Sequence, residues 1–486
     1  MLPEVAILLV SALVGWIFFQ RQKADAVLSK IPGPKRVSWI KGHVEQVHSL
    51  YGWDFHEMME SYGPTTVYDN WFGKKILYTW DTKAMQHILI KLRDTLNKKT
   101  QNGTQQIDMA SWLSRLAFEL VGQSNLGVSF DSLEDDEGAH PYGDKIKNVI
   151  PLITRVFLAA HFFLPWTMKI GTSKFRRAIA KRFPWEAMQY GEHLAYYMWD
   201  LSVEIYQEKK RALEKGDAAV AEQLTRGKDI LSVLMNANMH ADAKDKLDEE
   251  EVLGQMSTLM FAAMDSTSSV LARTLDILST RQDVQDKLRQ EIVEARERNN
   301  GEEFDYETLA NLPYLNAVCK EVIRLYPPAH RIIRTSYRDS VVPLGTPITG
   351  TDGSQITEIF FPKGSDIWIS LIGANRSEEI WGPDAKEWKP ERWLSPFPPS
   401  VAKARIPGVY ANTMTFSAGP RACIGFKFTE LEMVAVLPYL IESFKFEPSG
   451  KEIYYDLSGV ANPKVKGELD KGIQLPIKIT AVKSEN

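Results

Sequence analysis

Residues Phe416–Gly425 read FSAGPRACIG, and these ten residues decide the fold. Phe416, Gly419, Arg421, Cys423 and Gly425 all fall on the pattern FxxGxRxCxG. A chance match in a chain of 486 residues is on the order of one in ten thousand. Gly419 and Pro420 permit a tight loop, and Gly425 lets the backbone pass close to a flat ligand. Arg421 offers a fixed cation to a carboxylate. A helical pattern, FKFTELEMVAVLPYLIESF, follows Cys423, so its sulfur is expected at a helix N-terminus, where exposed N–H groups favour the thiolate. Cys319, the only other cysteine, lies inside a helical pattern and reads as a small buried hydrophobe.

Upstream, Glu321 and Arg324 in EVIRLYPP are three apart and share one helix face. Alone, such a pair is usually solvated and worth about 0.5 kcal/mol or less. Pro390, Glu391, Arg392 and Trp393 add a third charged element before the cysteine loop. Further upstream, Asp248 with Glu251 forms an acidic capping box that opens a helix running to about Thr280, roughly 45 Å long. Inside it lies AAMDST, Ala262 to Thr267, an acid beside two hydroxyls. That arrangement suits proton delivery. Ser and Thr within a helix can equally back-bond to carbonyls.

The totals are those of a globular protein, with 44% hydrophobic and 25% charged residues. A net charge of -4 gives no basic footprint for nucleic acid. Two cysteines make no disulfide framework and no CxxC motif, which points to a reducing compartment. Val5 to Phe19 is apolar and uncharged, with Arg21 and Lys23 on its C-terminal flank. It reads as a membrane anchor that leaves the rest of the chain cytosolic, against the alternative of a cleaved secretory signal, which wants its charge first. Ile31 to Pro34 (IPGP) is a stiff exit from it. The division expected is an anchor over 1–21, a linker over 22–45 and one domain over 46–486.

Thr65 to Asp81 reads as a hairpin turning near Gly73, followed by a helix from Thr82. Helical patterns dominate to about Tyr326, and Val341 to Ile372 returns to short strands.

The cysteine loop, the ExxR of Glu321 and Arg324, and the PERW segment together resemble the cytochrome P-450 family, and the resemblance runs from the anchor to the last strands. The C-terminal half is most similar to fungal microsomal members. The resemblance implies a mainly α fold with a small β-sheet region and a haem b cofactor (iron protoporphyrin IX), with Cys423 as the iron ligand. Phe416, Gly419, Arg421, Gly425 and, after the Pro327–Pro328 stop, Arg334 would line the cofactor. Glu321, Arg324 and Arg392 would hold the loop. AAMDST resembles the family's oxygen-activation motif, with Ala263 in place of the usual glycine and Ser266 in place of the usual threonine, so Asp265, Ser266 and Thr267 would relay protons. The implied activity is monooxygenation of a small apolar substrate at the endoplasmic reticulum membrane, with electrons from an NADPH-dependent flavoprotein reductase. A haem-thiolate isomerase or peroxygenase, and a non-catalytic relative, are the alternatives.

One departure bears on activity. Between the helix expected to end near Lys91 and the apolar helix at Ile107 to Leu126 there is only a short polar bridge, LNKKTQNGTQQ. Family members carry about fifty further residues there, including a WxxxR that clamps a haem propionate, so a deletion is expected between residues 92 and 106. Trp388 with Arg392 is the only such pair in this chain and belongs to the PERW segment.

Overall fold

A computed structural model describes most of residues 65–482; residues 1–64, 70–74, 80–81, 127, 215–230 and 483–486, and most of 135–165 and 232–245, lie outside the described residues. The expected anchor, the proline segment and the hairpin turn near Gly73 fall there. Among the described residues no helix is long and apolar enough to cross a membrane.

The chain divides into two compact units. The first gathers residues 1–89, 118–132 and 192–261, and the second residues 90–117, 133–191 and 262–486. In the first, β1 (Thr65–Asp69) and β2 (Lys75–Thr79) pair antiparallel, with Thr65 opposite Thr79, as the alternating pattern requires. Helix α1 (Thr82–Thr100) follows, then β3 (Gln105–Asp108) and α2 (Met109–Val121). The expected end of α1 at Lys91 is wrong. Leu89, Leu92 and Leu96 form a buried stripe at spacings of three and four, and Thr95 donates its hydroxyl to Leu133 O at 2.7 Å, so the polar stretch continues the helix. Only Gln101–Thr104 separates it from β3.

Further helices are α3 (Ser173–Arg182), α4 (Glu186–Glu214), α5 (Glu249–Thr280), α6 (Gln282–Arg298) and α7 (Pro313–Leu325). One arm of the capping box forms, with Asp248 N–H donating to Glu251 Oε2 at 3.3 Å, while Glu251 N–H and Val252 N–H both donate to the Asp248 carbonyl, at 3.0 and 3.1 Å. After α7 come β4 (Arg331–Thr335), β5 (Ser340–Thr349), β6 (Gln355–Phe361) and β7 (Asp366–Ser370), paired as β4–β7 and β5–β6. Helix α8 (Phe426–Ser443) leads from the cysteine loop to β8 (Phe444–Pro448). The remaining strands are β9 (Ile453–Asp456), β10 (Asn462–Val465) and β11 (Pro476–Ala481), the last lying between β3 and β8.

The second unit's core forms where α8 is apolar all round: Met433 to Tyr439 are all buried, as a helix wrapped on every side must be. Gln285 on α6 stitches this core to the sheet. It donates to Phe446 O and accepts from Phe446 N–H, both at 2.9 Å, which satisfies a buried amide at both ends. Cys319 is fully buried and its thiol is pushed far up by desolvation, as a structural cysteine should be.

Candidate functional site

The cysteine loop is built from its backbone. Ser417 at φ +62° and Gly419 at φ +66° turn the chain, and Gly408 passes so close to Thr413 that a Cβ would collide with its carbonyl. Cys423 N–H closes the loop onto Phe416 O at 2.8 Å, and Ala422 N–H onto Gly419 O at 2.9 Å. Phe416 packs edge-on against Tyr410 at 5.4 Å and tilted against Phe426 at 6.0 Å, so rings fix both ends of the loop. Cys423, Arg421 and Ile424 face outward, Ile424 being 92% exposed. Arg421 makes no hydrogen bond or ion pair among the described residues.

The helix N-terminus does not lower the Cys423 pKa as expected. The N-cap of α8 is Gly425, two residues beyond the cysteine, and partial desolvation raises the thiol above its usual range while the Gly425 N–H offsets only part of this. A bound metal ion would itself deprotonate such a thiol. The surroundings fit a flat, anionic iron macrocycle: a soft sulfur ligand, free space beside Gly419 and Gly425 where a Cβ would meet nothing within 4 Å, and an outward cation at Arg421. Arg334 is a second exposed cation, on β4 opposite Ile367 of β7.

The structural charges are not solvated. Glu321 and Arg324 are both 0% exposed and bidentate, at 2.8 and 2.7 Å. Glu321 also accepts from Trp393 Nε1 at 2.9 Å and Lys389 N–H at 3.1 Å, and Arg324 donates to Asn375 O and Ala385 O, each at 2.7 Å. Arg392 reaches Glu321 only at 3.4 Å and is held mainly by Asp384, at 2.8 Å through both Oδ1 and the carbonyl. Asn375 carries this network to the loop: its Oδ1 accepts Met414 N–H at 2.7 Å and its Nδ2 donates to Thr415 Oγ1 at 2.9 Å. The network therefore grips the residues just before Phe416.

The AAMDST residues diverge, because successive residues on a helix point about 100° apart. Ser266, half-buried, donates back to Ala262 O at 2.8 Å. Asp265, 1% exposed, turns to β10, where Asn462 Nδ2 donates to its Oδ1 at 3.2 Å; burial pushes its carboxyl up. Thr267, fully buried, has no hydrogen-bond partner and faces Glu432 of α8. The three side chains thus take separate directions, and none hydrogen-bonds another.

Glu432 and Asn462 were missed in the sequence. Glu432 stands nine residues after Cys423 in a run whose following residues are apolar, and a lone acid there was the available signal. It is fully buried without a hydrogen bond, and desolvation pushes its pKa to about 8, with the Thr267 hydroxyl offsetting part of the rise. The folded chain therefore keeps a proton that the unfolded chain gives up above the usual carboxylate range. Stability falls as pH rises from about 4.5 to about 8. Glu432→Gln is expected to leave the urea midpoint unchanged near pH 4 and to raise it near pH 9, a gain whose absence would show that the carboxyl is not held neutral.

Comparison with known proteins bears on the whole chain. The cytochrome P450 family model matches residues 72–470. Cytochrome P450 monooxygenase 91 of Postia placenta is 41% identical over 518 aligned positions, covering 94% of each chain. Ganoderic acid synthetase of Ganoderma lucidum is 34% identical, covering 99% of this chain and all of the relative. A crystal structure of a cytochrome P450, 23% identical, superposes with a TM-score of 0.57 over 82% of this chain and 74% of the other, which shows a shared fold. In the first alignment, 94% of 486 residues is about 457, against 518 positions, so about 60 positions have no counterpart here.

Proposed function

Since the chain belongs to the cytochrome P450 family, as a haem b-binding enzyme of the monooxygenase class, we propose that Cys423 ligates the iron and that the substrate is a small apolar molecule oxygenated with electrons from an NADPH-dependent flavoprotein reductase. The observation that carries this reading is the outward thiol of Cys423 on a loop held by the buried network. Haem ligated by a thiolate supplies activation and cleavage of dioxygen. Arg421 and Arg334 would pair with its propionates. Exposed Ala262 and half-buried Ala263 leave an apolar surface beside Ser266, suited to such a substrate. One relative is named for making ganoderic acid, a further pointer to an organic substrate.

In this reading Ser266 hands protons to the reacting oxygen and Asp265 resupplies them. Ser266→Ala should keep haem and its reduction but divert electrons, raising the ratio of hydrogen peroxide formed to NADPH consumed several-fold, since loss of one general acid slows proton delivery by about 100-fold or more. Thr267→Val should add little, because Thr267 turns toward Glu432. Equal ratios in wild type and the double variant would return this segment to plain helix packing. The positions without counterpart favour a second reading, a haem protein without turnover; a wild type that binds haem yet consumes no NADPH with reductase present would support it.

We place the chain at the endoplasmic reticulum membrane, anchored by residues 1–21 with the remainder cytosolic. Of Val156 to Trp166, the candidate second contact, only Val156 and Trp166 are among the described residues. Exposed Trp166, Met168 and Ile170 precede α3, which shows exposed Phe175 and Ile179 four residues apart, and exposed Phe183 caps its end beside Arg182. An apolar face with basic neighbours matches an anionic bilayer surface. Removing residues 1–21 should leave residual binding to anionic vesicles that Phe175→Asp with Ile179→Asp abolishes; a truncated chain with no such binding would show that the anchor acts alone.

A further inference from the structure

Asp265 and Asn462 share one hydrogen bond, Nδ2 to Oδ1 at 3.2 Å, and both are buried. The other oxygens of the same two side chains, Asp265 Oδ2 and Asn462 Oδ1, are buried with no hydrogen-bond partner. An amide has one donor end and one acceptor end, whereas an ionised carboxylate has only acceptors. Placed edge to edge, as that one contact allows, the two groups would satisfy one contact and set lone pair against lone pair in the other. Turning the amide over exchanges the oxygens concerned without removing the conflict. A single proton on Asp265 Oδ2 resolves both orphans, since the acid then donates to Asn462 Oδ1 while Nδ2 still donates to Oδ1.

We propose that Asn462 is a positioning residue that holds Asp265 as the neutral acid in a cyclic amide–acid pair, an inference that rests on the reading of Asp265 as a member of the proton relay. The amide is fixed in place. Asn462 opens β10 opposite Asp456 of β9, and Ser269 Oγ, one turn along α5 from Asp265, donates to Ala461 O at 2.7 Å. The strand that presents the amide is thereby tied to the helix that carries the acid. Desolvation raises the Asp265 pKa against two opposing influences, the charge of Lys147 and donation from Asn462 Nδ2. Lys147 does not hydrogen-bond the free Oδ2, which has no partner. While the pair is intact its proton lies between Asp265 and Asn462, so no net charge is buried, and this proton is the store from which the relay would be supplied.

The test is the infrared spectrum of the purified, haem-loaded full chain at neutral pH, taken in H2O and D2O as wild type minus Asp265→Asn. The difference is expected to contain a deuterium-sensitive C=O band of a protonated carboxyl, and in Asn462→Leu that band should move to higher frequency as the acid loses its partner. No such band means that Asp265 is ionised and overturns the proposal. A band that Asn462→Leu leaves in place overturns it equally. Should Asn462→Leu fail to fold, Asn462→Ser, too short to pair edge to edge, takes its place. The peroxide-to-NADPH ratio separates the two readings: a rise of about threefold in Asn462→Leu supports a pair that feeds the relay, while a moved band with an unchanged ratio upholds the pair and sinks the relay.

Discussion

Cys423→Ser should abolish the thiolate-type spectrum of the reduced, carbon monoxide-bound protein and lower monooxygenation below detection. Serine fits the same loop, whose closure uses the backbone N–H of residue 423 and not its side chain, so the fold is expected to survive. What is lost is the anionic sulfur, which neither serine nor alanine can supply. Cys319→Ala is the matched control: that thiol is buried in α7 and held protonated, so its loss should cost packing alone, on the order of 1 kcal/mol, and leave the spectrum intact. A thiolate spectrum surviving in Cys423→Ser would sink the assignment of the ligand.

The second large effect concerns Glu321. Replacing it with Ala removes the carboxylate facing Arg324 at 0% exposure and strands Lys389 N–H and Trp393 Nε1 as well. Breaking one side of a fully buried pair costs about 3–5 kcal/mol, since the remaining charge has no counter-ion. The urea midpoint of the haem-loaded protein should fall accordingly, with earlier loss of haem, because Asn375 transmits the network to Met414 and Thr415. Arg392→Lys should be milder. Asp384 is its nearer partner, and a lysine can still meet it as a point charge. A loss below about 1 kcal/mol for Glu321→Ala would mean that the pair is solvated in solution.

Local spacing carried much of this into the sequence. The five fixed positions of the cysteine loop, the i, i+3 pair of Glu321 and Arg324, and the capping box of Asp248 and Glu251 are short-range patterns, and each appears in the structure as a loop, a buried pair and a helix start. Long-range partners were not legible. Ala385, Trp393 and Asn375 meet α7 only once the chain has returned from more than fifty residues away, and nothing in their own neighbourhoods marks them. Asn462 lies 197 residues from Asp265. The length of α1 was a different failure: the buried stripe of Leu89, Leu92 and Leu96 carries the helix to Thr100, but the polar residues after Leu96 made LNKKTQNGTQQ read as a bridge. The pKa of Cys423 depends on where the helix N-cap falls and how far the sulfur is desolvated, which spacing alone does not fix.

The expected loss of the propionate clamp and the complete cysteine loop pull in opposite directions, and one spectrum of the unmodified protein decides between them. Full-length chain expressed with haem, reduced and exposed to carbon monoxide, should show the thiolate-type absorption in proportion to its haem content, because the loop and its supporting network are complete without the positions that relatives carry. Purification without haem, or a carbon monoxide complex lacking the thiolate signature, would contradict the account.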